Sequence, residues 1–113
     1  MLKEKDYCDY ETCVALRELG YNAPQRLIPD YFGVFEEPQY DERIHLYDAQ
    51  KWLREEKFLL IVVDRLLHGE YEFSIVDILN YSEEKNGTAN SYEEALSKGI
   101  KEAVKILTNN KNE

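Results

Sequence analysis

The stretch that most constrains this chain is the run Phe58-Leu59-Leu60-Ile61-Val62-Val63 and the alternation that follows it. An unbroken apolar run of strand length, rich in branched side chains, predicts a strand buried on both faces. Tyr71, Phe73 and Ile75 then alternate with Glu70, Glu72 and Ser74, the pattern of a strand with one wet face. Leu66-Leu67-His68-Gly69-Glu70 between them carries a turn, so the two segments predict an antiparallel hairpin. The alternation slips at Val76, which predicts a bulge or a change of environment there. Ser82 to Asn90 is polar, contains the turn signal Asn86-Gly87, and reads as a connection.

Ser91 and Glu94 then form the S-x-x-E capping box that opens a helix. Ala95, Leu96, Gly99, Ile100, Ala103 and Leu107 make its apolar stripe at the helical period. A glycine inside a helix costs about 1 kcal/mol against alanine. Gly99 on the apolar face therefore predicts a close approach to the sheet. Residues 109–113 read as a frayed tail.

Upstream, Asp9 can cap a first helix of roughly Tyr10 to Leu19, with Tyr10, Cys13, Val14 and Leu16 as its apolar stripe. Gly20 suits the residue after the helix end, and Tyr21 is placed to close it. A second helix is predicted from Tyr47 or Asp48 to Glu56, with Leu46, Ala49, Trp52 and Leu53 on one face and Trp52 as a core anchor. Between the two helices, Gln25 to Arg43 is punctuated by Pro29 and Pro38. Tyr31 to Phe35 there reads as a short strand with a bulge or a close backbone approach at Gly33, and Arg43 to Leu46 as a second extended piece. The order predicts an α+β fold, a small antiparallel sheet with about three helices packed mainly on one face, over a single domain spanning 1–113. Trp52, Leu53, Phe73, Ile100 and Leu107 are expected to share its core.

The 113 residues carry a net charge of −9, which repels nucleic acid and argues against a phosphate-binding role. Lys98, Lys101 and Lys105 recur at helical spacing and read as an offset to the dipole of the last helix. No apolar run approaches the roughly 20 residues of a membrane span, so no membrane partner is expected. Met1 to Asp6 lacks the apolar stretch of a signal peptide, which places the expected location in the cytoplasm. Cys8 and Cys13, if on one helix, stand roughly 7.5 Å apart along its axis, so they read as reduced thiols.

Candidate chemistry is sparse. His45 lies three residues before Asp48, without a second His or Cys at metal-ligand spacing. Cys13 and His45 are the residue types of a thiol nucleophile and its base, and Glu36, Glu37, Asp41 and Glu42 form an acidic loop around Pro38. No catalytic, cofactor-binding or metal residue is assigned, and no cofactor is expected. Tyrosine, at 9 against 4 phenylalanines, is over-represented and suits half-buried positions and interfaces. Tyr31, Phe32, Phe35 and Tyr40 form the candidate interaction surface. If one face of the Phe58–Val63 strand lacks cover within the chain, a homodimer would hide it.

Three blocks resemble known sequences: Tyr7-Cys8-Asp9-Tyr10-Glu11-Thr12-Cys13-Val14-Ala15-Leu16-Arg17-Glu18-Leu19-Gly20-Tyr21, then Tyr47-Asp48-Ala49-Gln50-Lys51-Trp52-Leu53-Arg54-Glu55, then Ser91-Tyr92-Glu93-Glu94-Ala95-Leu96 with its helix. In this order they resemble small uncharacterised proteins carried by Bacteroides-type bacteria and their phages or prophages. The resemblance implies a bacterial cytosolic or phage-encoded origin, and an aromatic strand just before the last helix. It implies no activity. The expected function is a non-enzymatic interaction protein with an unidentified protein partner, able to self-associate. The alternatives are an acidic decoy occupying the nucleic-acid site of another protein, or an enzyme using Cys13, His45 or the acidic loop.

Overall fold

A helix opens at Tyr10 because Asp9, in extended conformation, accepts the Thr12 N–H at 2.8 Å on its carboxylate. The computed structural model describes residues 4–21 and 43–111. This first helix, α1 (Tyr10–Glu18), ends as its sequence predicts. Gly20 takes φ 111°, its N–H bonds the Arg17 carbonyl, and the Tyr21 N–H bonds the Leu16 carbonyl, both at 3.0 Å. These are the two paired bonds of a Schellman closure. The expected stripe needs correction, since Tyr10 (68% exposed) and Val14 (39%) face outward. Thr12, Cys13 and Leu16 are the buried residues, on the opposite side of the helix.

The second helix, α2 (Leu46–Lys57), buries Leu46, Ala49 and Leu53. Trp52 is not a buried anchor but a half-buried border residue. Its ring meets the edge of Tyr21 at 5.6 Å and carries the Lys57 ammonium 5.5 Å from its centroid. The helix stops at Phe58, which turns left-handed (φ 57°) and donates its N–H to the Leu53 carbonyl. Phe58 is therefore a helix cap and not the first residue of a strand.

Three strands follow as an antiparallel meander: β1 (Leu59–Arg65), β2 (Tyr71–Asp77) and β3 (Ser82–Ala89), in the order β1-β2-β3. The predicted β1–β2 hairpin is present, with Ile61 opposite Ile75 and Val63 opposite Phe73. The ladder does shift at Val76, but the extra residue is on the neighbouring strand: Ile75 pairs with Lys85 and Val76 with Glu83, leaving Glu84 of β3 unpaired. The reading of Ser82 to Asn90 as a connection is corrected, because Asn86 and Gly87 sit mid-strand opposite Ser74 and Phe73. An edge strand wets one side and one border, so a polar sequence satisfies it. The reading of β1 as buried on both faces is corrected too. Leu59 and Ile61 are buried, while Leu60 and Val62 on the other face are half-buried.

The last helix, α3 (Tyr92–Lys111), starts where Ser91 Oγ accepts the Glu94 N–H at 3.2 Å. It packs against all three strands, α2 packs against β1 and α3, and α1 packs against α3. The result is an α+β fold with its helices on one face of the sheet. Ile61, Ile75, Leu53, Leu96 and Ile100 are fully buried in the resulting core. Phe73 joins them, and Trp52 and Leu107 pack at the border. The helix α3 continues to Lys111, and the rest of the tail, 112–113, lies outside the described residues. Half-buried Ile106 and Leu107 anchor that last turn.

Candidate interaction surface

The cysteines do not share a helix, because Cys8 precedes the Asp9 cap. Both are free and buried. The Cys13 sulfur accepts the Ile44 N–H at 3.2 Å, and its thiol points to the Cys8 carbonyl at 3.7 Å. Arg43 donates to the same carbonyl through Nε (3.2 Å) and Nη2 (2.8 Å). Burial, followed by the charges of Cys13 and Asp9, pushes the Cys8 thiol up to about 12. His45 forms an isolated bridge with Tyr7, their rings 4.8 Å apart, and precedes α2 as its cap without a side-chain bond. Cys13 and His45 thus meet in one knot of backbone, each engaged by a different neighbour. Among the described residues, no group of three His, Cys, Asp or Glu side chains gathers where it could hold a metal ion. The acidic loop Glu36, Glu37, Asp41, Glu42 and the candidate surface Tyr31, Phe32, Phe35, Tyr40 lie outside the described residues.

Lys98 and Lys101 staple α3 to its neighbours, while Lys105 pairs within the helix. Lys98 donates to the Thr88 carbonyl at 3.1 Å and pairs with Glu94 at 3.8 Å. Lys101 pairs with Asp9 at 2.5 Å, and Lys105 with Glu102 at 3.3 Å. Lys85 of β3 meets Glu102 at 2.6 Å. A shallow cleft of about 490 Å³ runs along this seam, lined in part by Lys5, Tyr7, Arg43 and Lys98. Its cations alternate with carboxylates, including Lys5 against Glu93 at 3.7 Å, so it is a self-neutralised ionic seam. At this end of the sheet the Tyr92 ring packs near both Tyr71 (6.2 Å) and Tyr47 (6.4 Å). Burial, then Tyr47, pushes the Tyr92 hydroxyl up.

The other end of the sheet is built differently. The Phe58 carbonyl accepts the Ile78 N–H at 3.0 Å, which sets the α2–β1 junction beside the β2–β3 turn. Asp77 shapes that turn, its Oδ1 accepting the N–H groups of Leu79 (3.0 Å) and Asn80 (3.3 Å) and its Oδ2 the Asn80 side-chain amide (3.0 Å). The chain leaves the turn through Tyr81, also left-handed (φ 54°). Phe58 is 45% exposed, Leu79 68% and Tyr81 89%. A side chain in left-handed conformation costs about 1–2 kcal/mol, which glycine avoids. Phe58 and Tyr81 are the non-glycine residues of positive φ in the described chain, and both are exposed aromatics at the same end. The last turn of α2 beside it carries Arg54, Glu55, Glu56 and Lys57, with Arg54 paired to Glu55 at 3.8 Å, and β3 opens with exposed Glu83 and Glu84.

The sequence reading missed the tip. Phe58 reads as strand by composition, because nothing in Lys57-Phe58-Leu59 marks a left-handed cap. The detectable signal was Asp77 followed by Asn80, the residue types that fold a turn by bonding the backbone two or three residues on. Compared with family models, with curated proteins and with solved structures, the chain matches none.

Proposed function

We propose that this chain is a non-enzymatic interaction protein whose contact surface is the tip formed by Phe58, Leu79 and Tyr81. The observation that carries this reading is the pair of exposed aromatics in left-handed backbone, Phe58 at φ 57° and Tyr81 at φ 54°. Domain stability is a small difference of about 5–15 kcal/mol, so about 1–2 kcal/mol at each position is a substantial fraction of it. Tyr81 and Leu79 recover little of that by burial, being mostly in solvent. Strain held at exposed apolar side chains is a mark of a surface shaped for contact. Against a thiol enzyme stands the burial of both thiols, with the Cys13 sulfur accepting the Ile44 N–H and the Cys8 thiol held protonated.

The test is a photo-crosslinking residue placed at Leu79 in the full chain, expressed in a Bacteroides-type host, the setting that the sequence resemblance implies. The expected result is a discrete adduct from position 79 and none from Lys51, an exposed position on α2. An identical adduct pattern from both positions would contradict the reading.

A further inference from the structure

We infer that Asn86 is a site of covalent self-modification, deamidation through the backbone of Gly87, which the β2–β3 ladder holds in check and an opening of the edge strand releases. An asparagine followed by glycine is the reactive pair of this chemistry. The Gly87 backbone nitrogen loses its proton and attacks Asn86 Cγ. The new N–Cγ bond closes a succinimide ring, and the side-chain nitrogen leaves with that proton as ammonia. Water then opens the ring at one of its two carbonyls. One opening leaves aspartate. The other leaves isoaspartate, whose backbone runs through the side chain and is one carbon longer. Either product carries a carboxylate where the amide stood.

Packing dictates the glycine. A β-carbon added at Gly87 would come within 2.7 Å of Phe73 Cε1, on a ring buried in the core. Asn86 beside it is exposed and stands opposite Ser74. Two bonds restrain the pair. The Asn86 side-chain amide donates to Glu83 Oε1 at 2.8 Å. The Gly87 nitrogen belongs to the ladder. The Ile78 N–H bonds the Phe58 carbonyl and the Leu66 N–H the Glu70 carbonyl, which fixes the phase of β2 against β1. Backbone groups alternate sides along a strand, so those of Glu72 and Ser74 point to β1 and those of Phe73 point to Gly87. Extended backbone, with ψ about +135°, also turns the Gly87 nitrogen away from the Asn86 side chain. The strand that imposes these restraints is the easiest of the three to open, since it is an edge and buries only Ala89. After reaction, the longer isoaspartate backbone takes Gly87 out of register with Phe73. Aspartate instead sets a new carboxylate against Glu83. Either product resists re-closure, so a transient opening becomes a permanent one.

The test incubates the full chain near neutral pH at physiological temperature, in buffer and in urea above its unfolding transition. Its peptides are mapped by mass spectrometry, with aspartate separated from isoaspartate. In urea, conversion should concentrate at Asn86, ahead of Asn80 and Asn90, whose following residues Tyr81 and Ser91 carry side chains that hinder the ring. In buffer, conversion at Asn86 should be slower by about tenfold or more. Urea below the transition should raise that rate while the far-ultraviolet signal of the fold is unchanged, because the edge opens before the core. The converted chain, purified by its extra negative charge, should melt lower than the parent. Asn86→Gln, whose longer side chain closes the ring far more slowly, should show no conversion at that position. Equal rates at Asn86 in buffer and in urea would mean that the ladder does not guard the site. Absence of conversion in urea would mean that there is no site, and either result overturns the inference. A native rate that stays flat up to the global transition would overturn release by the edge strand. An unchanged melt of the converted chain would overturn the permanent opening.

Discussion

Gly99 of α3 lies directly over Ile61 of β1, so near that a β-carbon added at Gly99 would come within 2.7 Å of Ile61 Cγ2. That carbon branches from the Ile61 β-carbon and cannot swing aside without moving the strand. The strand is held in turn by α2, where Gln50 Nε2 donates to the Ile61 carbonyl at 2.8 Å. Gly99→Ala should gain about 1 kcal/mol of helix propensity and lose about 1–3 kcal/mol to overpacking. Net destabilisation is therefore expected in urea melts, and a raised midpoint would show that the sheet gives way.

Core truncation separates the buried face of each helix from the exposed one. Leu53→Ala and Ile100→Ala should each lose about 2–5 kcal/mol, since both side chains are fully buried. Tyr10→Ala and Val14→Ala on the outward face of α1 should stay within about 0.5 kcal/mol of the parent. Denaturant melts of the four variants check this, and a large loss at Val14 would restore the stripe that the sequence suggests.

Acid should weaken the seam between α1 and α3. Partial burial pushes the Asp9 carboxyl up, but the Lys101 ammonium and the Thr12 hydroxyl and N–H outweigh it and bring it from 3.8 to about 2. A depressed carboxyl contributes fully above its ordinary value and loses that contribution as pH falls from about 4 to about 2. The side chain is 43% exposed, so solvent screens the effect and a shallow slope is expected. Asp9→Asn keeps the cap to Thr12 and removes the ion pair, so its stability should change less over this window. Parallel loss in both chains would mean that Asp9 contributes nothing there.

The thiols should be silent in the folded chain. The thiolate is the reacting species, and burial holds the Cys8 thiol near 12. At about pH 8, an aromatic disulfide reagent should react with Cys8 and Cys13 only as the chain opens, at a rate that rises with denaturant. Immediate stoichiometric release from one thiol in plain buffer would show a cysteine accessible in the native state.

The legible parts of this fold are those where a local rule and the tertiary contact agree. Asp9, Gly20 with Tyr21, and Ser91 mark helix ends through backbone bonds made within a few residues. The strand β3 stayed hidden because an edge strand that buries only Ala89 carries no apolar alternation. The outward turn of Tyr10 and Val14 was hidden because the docking of Cys13 against Ile44 sets the rotation of α1. The tip was invisible for a third reason. Its signal is a conformation, a left-handed Phe58 and Tyr81, where the residues themselves argue for something else. Local preference and final structure disagree most at the candidate site, as expected where contact rather than folding selects the side chain.

The central claim is that Tyr81 is held at the tip for contact and not for stability. Tyr81→Gly relieves a left-handed tyrosine that is mostly in solvent, so the variant should be more stable by up to about 1 kcal/mol. The most direct test is the yield of the in-cell crosslink from position 79, compared between the parent chain and the Tyr81→Gly chain at matched expression. The account predicts a discrete adduct in the parent and its loss in the equally or more stable variant. The same adduct at the same yield in both chains would contradict it.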